Sequence, residues 1–134
     1  MVLLALLPTA CGARPRSPAG VVRAWSRALN VGDNDGAADL FARDARVIQN
    51  GRVLRLRTHA EARDFNRALP CSGRIVGLTV DGEQVTATFV LGDRPASRCD
   101  GPGEEAAAVF RVRGGKIVLW HQVPVPPHAG EATV

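Results

Sequence analysis

A carboxylate beside a histidine can move protons, a serine beside a histidine can attack a carbonyl, and clustered cysteines and histidines can bind metal. Measured against those patterns, the chain offers few reagents. Asp33 and Asp35 stand in "GDNDG" and Asp81 in "VDGE", where short acids cap helices and form turns. Asp44 falls just ahead of a predicted strand, again a structural position. His121 adjoins Trp120, and neighbours on a strand point to opposite faces, so a single cavity cannot take both. His59 sits on the exposed first turn of a predicted helix and His128 in the C-terminal tail. Ser26, Ser72 and Ser97 lack the strand-turn-helix context of a nucleophile elbow. No CxxC or HxxxH spacing occurs, so neither a metal nor a cofactor is expected.

The three cysteines have other uses. The start, "MVLLALLPTAC", is too short an apolar run to span a bilayer, which takes about 20 residues. It resembles a bacterial lipoprotein signal: Val2 to Leu7 form the apolar core, Thr9 and Ala10 are the small residues before the cut, and Cys11 would be acylated as the mature N-terminus. That resemblance implies an extracytoplasmic protein held at the cell membrane by its lipid anchor alone. An apolar cytosolic N-terminus is the alternative. "GARPRSPAG" then reads as a polar, Pro-rich tether. With Cys11 used for lipidation, Cys71 and Cys99 remain as an even pair, which in an exported domain is expected to be a disulfide.

The 17 basic residues against 13 acidic ones give a pI near 9.8, but 16 of the 17 are Arg, a skew that fits a GC-rich genome. Residues 43 to 74 hold eight Arg and, among aromatics, only Phe65. A nucleic-acid surface interleaves basic and stacking residues, so this stretch reads as a solvated face and no nucleic-acid partner is expected.

The elements that must position any site follow from periodicity. Val22, Trp25 and Leu29 recur at helical spacing, "GDNDG" interrupts them, and Asp33 or Asn34 can cap a short second helix over Ala37 to Phe41. Ala45 to Gln49 and Val53 to Arg57 read as strands joined by an Asn50-Gly51 turn. Thr58 and Glu61 match the capping box of a third helix, which Pro70 stops. Four more strands follow, Arg74 to Val80, Gln84 to Leu91, Ala106 to Arg113 and Ile117 to Val123, the last pair joined by Gly114-Gly115. "EQVTATFVL" carries bulk on both faces, so its sheet is expected to be covered on both sides, by helices on one and by a second copy in a homodimer on the other.

That order of elements, with "LNVGDNDGAADLFARDARVIQNG" at the start and "VFRVRGGKIVLWHQV" at the end, resembles the nuclear-transport-factor-2-like, or SnoaL-like, superfamily, and the exported two-cysteine form resembles an actinobacterial lipoprotein branch of it. The resemblance implies an α+β, cone-like roll in which about three helices pack on a curved, mainly antiparallel sheet. The domains would be 1–18 signal and tether, 19–124 SnoaL-like domain, and 125–134 loose tail. The superfamily hosts isomerases, dehydratases, hydrolases, cyclases and plain binding modules, so fold does not fix function. By resemblance to its ketosteroid isomerases, the base would fall at Gln49, a tyrosine donor at Trp25, a protonated acid at Ala108, and two further tyrosines at Phe41 and Phe65. An amide does not titrate, an alanine has no proton to give, and the chain has no tyrosine.

The expectation is therefore a non-catalytic domain binding a neutral hydrophobic molecule. The alternatives are a small hydrolase, isomerase or dehydratase, or a dimeric interaction module. With Gln49 placed inward as the family's base would be, strand parity puts Thr88, Val90, Ala108, Phe110, Trp120 and Gln122 on the cavity face. Trp25, Phe41 and Phe65 would close it from the helices, and His121 would point away.

Overall fold

A computed structural model describes residues 14–127. Cys11 and the rest of the leader, and His128 in the tail, lie outside the described residues. Helix α1 spans Pro18–Asn30: Ser17 caps it by accepting the Gly20 N–H, and Pro18 opens it where its missing N–H costs nothing. Val21, Val22, Trp25 and Leu29 form its buried stripe. Helix α2, Asn34–Asp39, is capped by Asp33, whose carboxylate accepts the Gly36 N–H. It ends earlier than the sequence predicts. Phe41, expected at its C-terminal end, instead opens strand β1, Phe41–Gln49.

Strand β2, Arg52–Leu56, returns through Asn50-Gly51, both with positive φ (52° and 74°), as a two-residue hairpin requires. Helix α3, His59–Ala68, begins on Thr58, which accepts the Glu61 N–H, while the Glu61 carboxylate reaches back to the Arg57 N–H. Strands β3 (Cys71–Asp81), β4 (Gln84–Asp93), β5 (Glu105–Arg113) and β6 (Lys116–Val123) complete a six-stranded sheet in the order β2-β1-β6-β5-β4-β3. Every neighbouring pair is antiparallel except β1 and β6. The protein is thus an α+β roll, three helices packed on one face of a curved, mainly antiparallel sheet.

Asp44 corrects a second expectation. It lies inside β1, exposed and at φ 63°, where the pairing with β6 jumps from Phe41↔Ile117 to Arg46↔Leu119. The residue forms a bulge, for which Asp is one of the few non-glycine types suited.

Cross-strand register fixes the faces, because directly paired residues point the same way. Ala87 pairs with Ala108 and Ala108 with Gln122; Val85 pairs with Phe110, Phe110 with Trp120, and Trp120 with Val47. These residues face the helices. Thr88, paired with Ala107, and Val90, paired with Glu105, therefore lie on the outer face, contrary to the sequence expectation. His121 is on that outer face too, between Val109 and Ile48.

Two buried polar clusters lock the helices to the sheet. On α1, the Ser26 hydroxyl and Asn30 Nδ2 both donate to the Gly73 carbonyl, and Asn30 Oδ1 accepts the Gly73 N–H. A Cβ at Gly73 would stand 2.9 Å from the Phe89 ring, so no larger residue fits there without displacing it. The second cluster centres on Arg94, 7% exposed. Its guanidinium donates to the carbonyls of Leu29, Asn66 and Leu69 and to Asn34 Oδ1, tying together the ends of α1 and α3 and the start of α2. A cation at two helix C-termini meets the negative end of both dipoles. Burial lowers the Arg94 pKa from its usual value, through loss of hydration of the charged form.

Candidate functional site

A cavity of about 380 Å³ lies between α1, the residues following α3, and the concave sheet face. Its existence follows from side-chain size. Ala106 and Ala108 on β5 leave space among large neighbours, and Trp25, Leu29, Phe89 and Trp120 form its walls. Deeper in, the space is filled. Trp25 packs edge-on to Phe110 with centroids 5.3 Å apart, Phe65 does the same to Trp120 at 5.3 Å, and Phe41 stands against Phe65 at 6.0 Å.

The sequence-predicted residues therefore divide. Trp25, Gln49, Ala108, Trp120 and Gln122 line the cavity. Phe41, Phe65 and Phe110 stand behind it in the aromatic core, Phe41 from a strand rather than a helix. Thr88 and Val90 face away from it. Its mouth is ringed by Gln49, Asn50, Pro70, Asp100 and Gln122, of which all but Gln49 are exposed.

Several site residues lie beyond what sequence reasoning identifies. Asn66 is fully buried; its Oδ1 accepts the Trp25 indole N–H at 2.8 Å, and its Nδ2 donates to the Ala62 carbonyl at 2.8 Å. One signal was available, since Asn66 occupies a place on the otherwise apolar stripe Ala62, Phe65, Asn66, Leu69. Arg94 gives no comparable signal in the Gly/Pro-rich connection that holds it. Asp100 arrives at the cavity mouth because Cys71 and Cys99 are joined.

That disulfide links the first residue of β3 to the β4–β5 connection, a sequence separation of 28. Asp100 Oδ1 lies 3.3 Å from Cys71 Sγ, and the two sulfurs with this carboxylate form a group whose donor atoms lie within 4.8 Å of one another. A metal would need the sulfurs as thiolates, whereas here they are bonded to each other.

Among the described residues lining the cavity, Asp100 carries the one titratable side chain, and it is exposed at the lip. The three positions where a ketosteroid isomerase would keep its base and oxyanion donors are brought together on this wall, yet as Gln49, Trp25 and Ala108 they hold no acid–base pair. His59 bonds through Nε2 to Asp39 at 2.8 Å, exposed and away from the cavity lining.

A SnoaL-like domain model matches residues 22–120, from the first turns of α1 to the middle of β6. The chain belongs to the SnoaL-like domain family. Solved structures agree on the fold of this SnoaL-like domain. A nuclear-transport-factor-2-like protein of unknown function from Cytophaga hutchinsonii is 11% identical, with a TM-score of 0.68 over 84% of this chain and 93% of that one. A hypothetical protein from Catenulispora acidiphila with a ketosteroid-isomerase-like fold, crystallised with trimethylamine, is 18% identical, with a TM-score of 0.63 over 81% and 87%. A de novo designed protein with a curved β-sheet is also 18% identical, with a TM-score of 0.65 over 78% and 82%. At these identities the likeness carries architecture alone. A search among curated proteins returned no match.

Proposed function

We propose that this SnoaL-like domain is a non-catalytic receptor for a small, neutral, hydrophobic molecule, borne by an exported lipoprotein. The observation that carries the reading is the cavity: about 380 Å³, walled by two indoles, a phenyl ring and aliphatic side chains, with amides at its mouth. Pockets for small ligands have this size and this composition, an apolar body with a few orienting polar groups. An enzyme reading would rest on Asp100 alone, without a partner base on the wall. No basic side chain is among the described lining residues, so an anion would be desolvated there without a countercharge and beside a carboxylate.

Titration of the full chain with naphthalene, followed by the emission of its two tryptophans, both in the cavity wall, is expected to give a saturable change. The anion 2-naphthoate should bind at least about tenfold more weakly. No saturable change, or a preference for the anion, contradicts the reading. The lipoprotein part rests on the sequence around Cys11 and on the even cysteine pair left behind it. The mass of the mature N-terminus should show an acylated Cys11, and a retained Met1 would contradict export by this route.

A further inference from the structure

The chain enters the domain at the end of the roll opposite the cavity mouth. Gly115, in the β5–β6 turn at φ 77°, has no side chain, and Pro15 lies against it: a Cβ there would stand 2.9 Å from Pro15 Cβ and 3.7 Å from the Arg16 backbone nitrogen. Ser17 caps α1 directly afterwards, so the entering chain is fixed on both sides of Arg16. From here α1 runs toward the cavity: Leu29 in its last turn lines it, and Ser26 and Asn30 bond to Gly73 on β3. Strand β6 runs the same way, from Lys116 beside the turn to Gln122 at the mouth, a rise of about 20 Å.

Charge divides along the same axis. The entering segment carries Arg14 and Arg16, and the β5–β6 turn beside it carries Arg111, Arg113 and Lys116, with no acid in either stretch. All five are exposed, and among the described residues Arg14, Arg16 and Arg111 make no ion pair. Of the acids nearest to them, Glu83 is held by Arg113 at 3.3 Å and Asp39 by His59 at 2.8 Å, while Asp44 and Asp81 are exposed. The other end has the opposite sign. There the β4–β5 connection beside the mouth, residues 93–105, carries Asp93, Asp100, Glu104 and Glu105 against Arg98 and the buried Arg94.

Building on the lipoprotein reading above, we infer that the end of the roll formed by Arg14, Arg16 and the β5–β6 turn is a docking surface for the phosphates of anionic membrane lipids, and that it holds the cavity mouth away from the bilayer. Cys11 precedes Pro15 by four residues, a reach of at most about 14 Å. The mouth stands about 20 Å from the same point on the far side, so an anchor at Cys11 is too short to let the domain lie mouth-down. The basic end is the one brought to the headgroups, where an acyl anchor and a cluster of Lys and Arg reinforce each other. Arginine suits a lipid phosphate because its planar guanidinium bonds two oxygens at once. The acids beside the mouth are repelled by the same surface and keep it turned outward. The cavity then takes its hydrophobic guest from the aqueous side and does not draw it sideways out of the bilayer.

The test places the acylated full chain in nanodiscs of phosphatidylcholine and phosphatidylglycerol that include a lipid with a paramagnetic headgroup, and follows the backbone amide signals by NMR. Gly114 and Gly115 are expected to lose most of their intensity, while Gly51 and Gly101, at the mouth end, keep theirs. The wild-type comparison needs no variant. In a second arm, Arg14→Glu and Arg16→Glu together reverse the charge of the entering segment and leave Cys11 in place. This protein should stay with the discs through its acyl anchor while Gly114 and Gly115 regain intensity. Equal loss at the two ends, loss at neither, greater loss at the mouth, or a double variant that behaves as the wild type does overturns the inference while an acylated Cys11 keeps the lipoprotein reading standing. A full chain that carries no acyl group and separates from the discs removes the lipoprotein reading and this inference with it.

Discussion

Arg94→Met is expected to destabilise the domain by about 3 kcal/mol, because it strips a charged donor from four acceptors at once. The methionine keeps much of the buried stem but leaves the carbonyls of Leu29, Asn66 and Leu69 without this donor in a place that is 7% exposed. Part of the cost is returned, since the variant no longer buries a cation. A loss of this size is a large fraction of the stability of a small domain, and should lower the melting temperature by roughly 10 °C or more. Arg94→Lys keeps the charge but not the planar fork, so it should recover less than half of the loss. Urea unfolding of the three proteins checks this, and a loss below about 1 kcal/mol for Arg94→Met would show that the cluster is incidental. The consequence reaches the cavity, because the segment Arg94 holds, Asn66 to Leu69, includes the residue that fixes the Trp25 indole.

The second large effect is expected from the disulfide. Replacing Cys71 and Cys99 together by serine frees a loop whose ends are 28 residues apart, for which the chain-entropy model gives roughly 3.5 kcal/mol. The same bond anchors the β4–β5 connection over the cavity mouth, where Cys71 and Asp100 both line the opening. Loss of the crosslink should therefore cost stability and also weaken retention of any apolar probe. Thermal unfolding with and without reductant, alongside the double variant, should give matching downward shifts. A reduced protein that unfolds where the oxidised one does would contradict the assignment of stability to this bond.

How far the sequence alone revealed this molecule depends on whether the deciding interaction is local. The stripe Val22, Trp25, Leu29, the Asp33 cap, the Thr58–Glu61 capping box and the Asn50-Gly51 turn each encode their geometry within a few residues, and the structure contains all of them. The face assignment of β4 is different. Val85, Ala87 and Phe89 alternate with Thr86, Thr88 and Val90, both sets are bulky, and only the register Ala87↔Ala108 decides which set meets the helices. That register is a long-range fact, and the sequence-based choice of Thr88 and Val90 failed on it. Local pattern places Phe41 at a helix end because it cannot see that Ile117 pairs with it. The cavity wall was legible where family resemblance supplied positions, as at Trp25, Gln49 and Ala108. Behind the wall, Arg94 and the role of Asn66 were not legible, because their partners lie as much as 65 residues away in sequence.

The central claim is that the space beside Ala108 is where a hydrophobic molecule binds, and filling it tests that claim most directly. Ala108 is 2% exposed and borders the cavity, so Ala108→Leu should project its added atoms into empty volume with little strain. Naphthalene titration of this variant, with a melting curve to confirm its fold, is the measurement. The account predicts that the melting temperature is kept or raised and that naphthalene affinity falls at least about tenfold, the added side chain taking the ligand's place. A folded Ala108→Leu protein that binds naphthalene as the wild type does would place the binding site elsewhere and contradict the account.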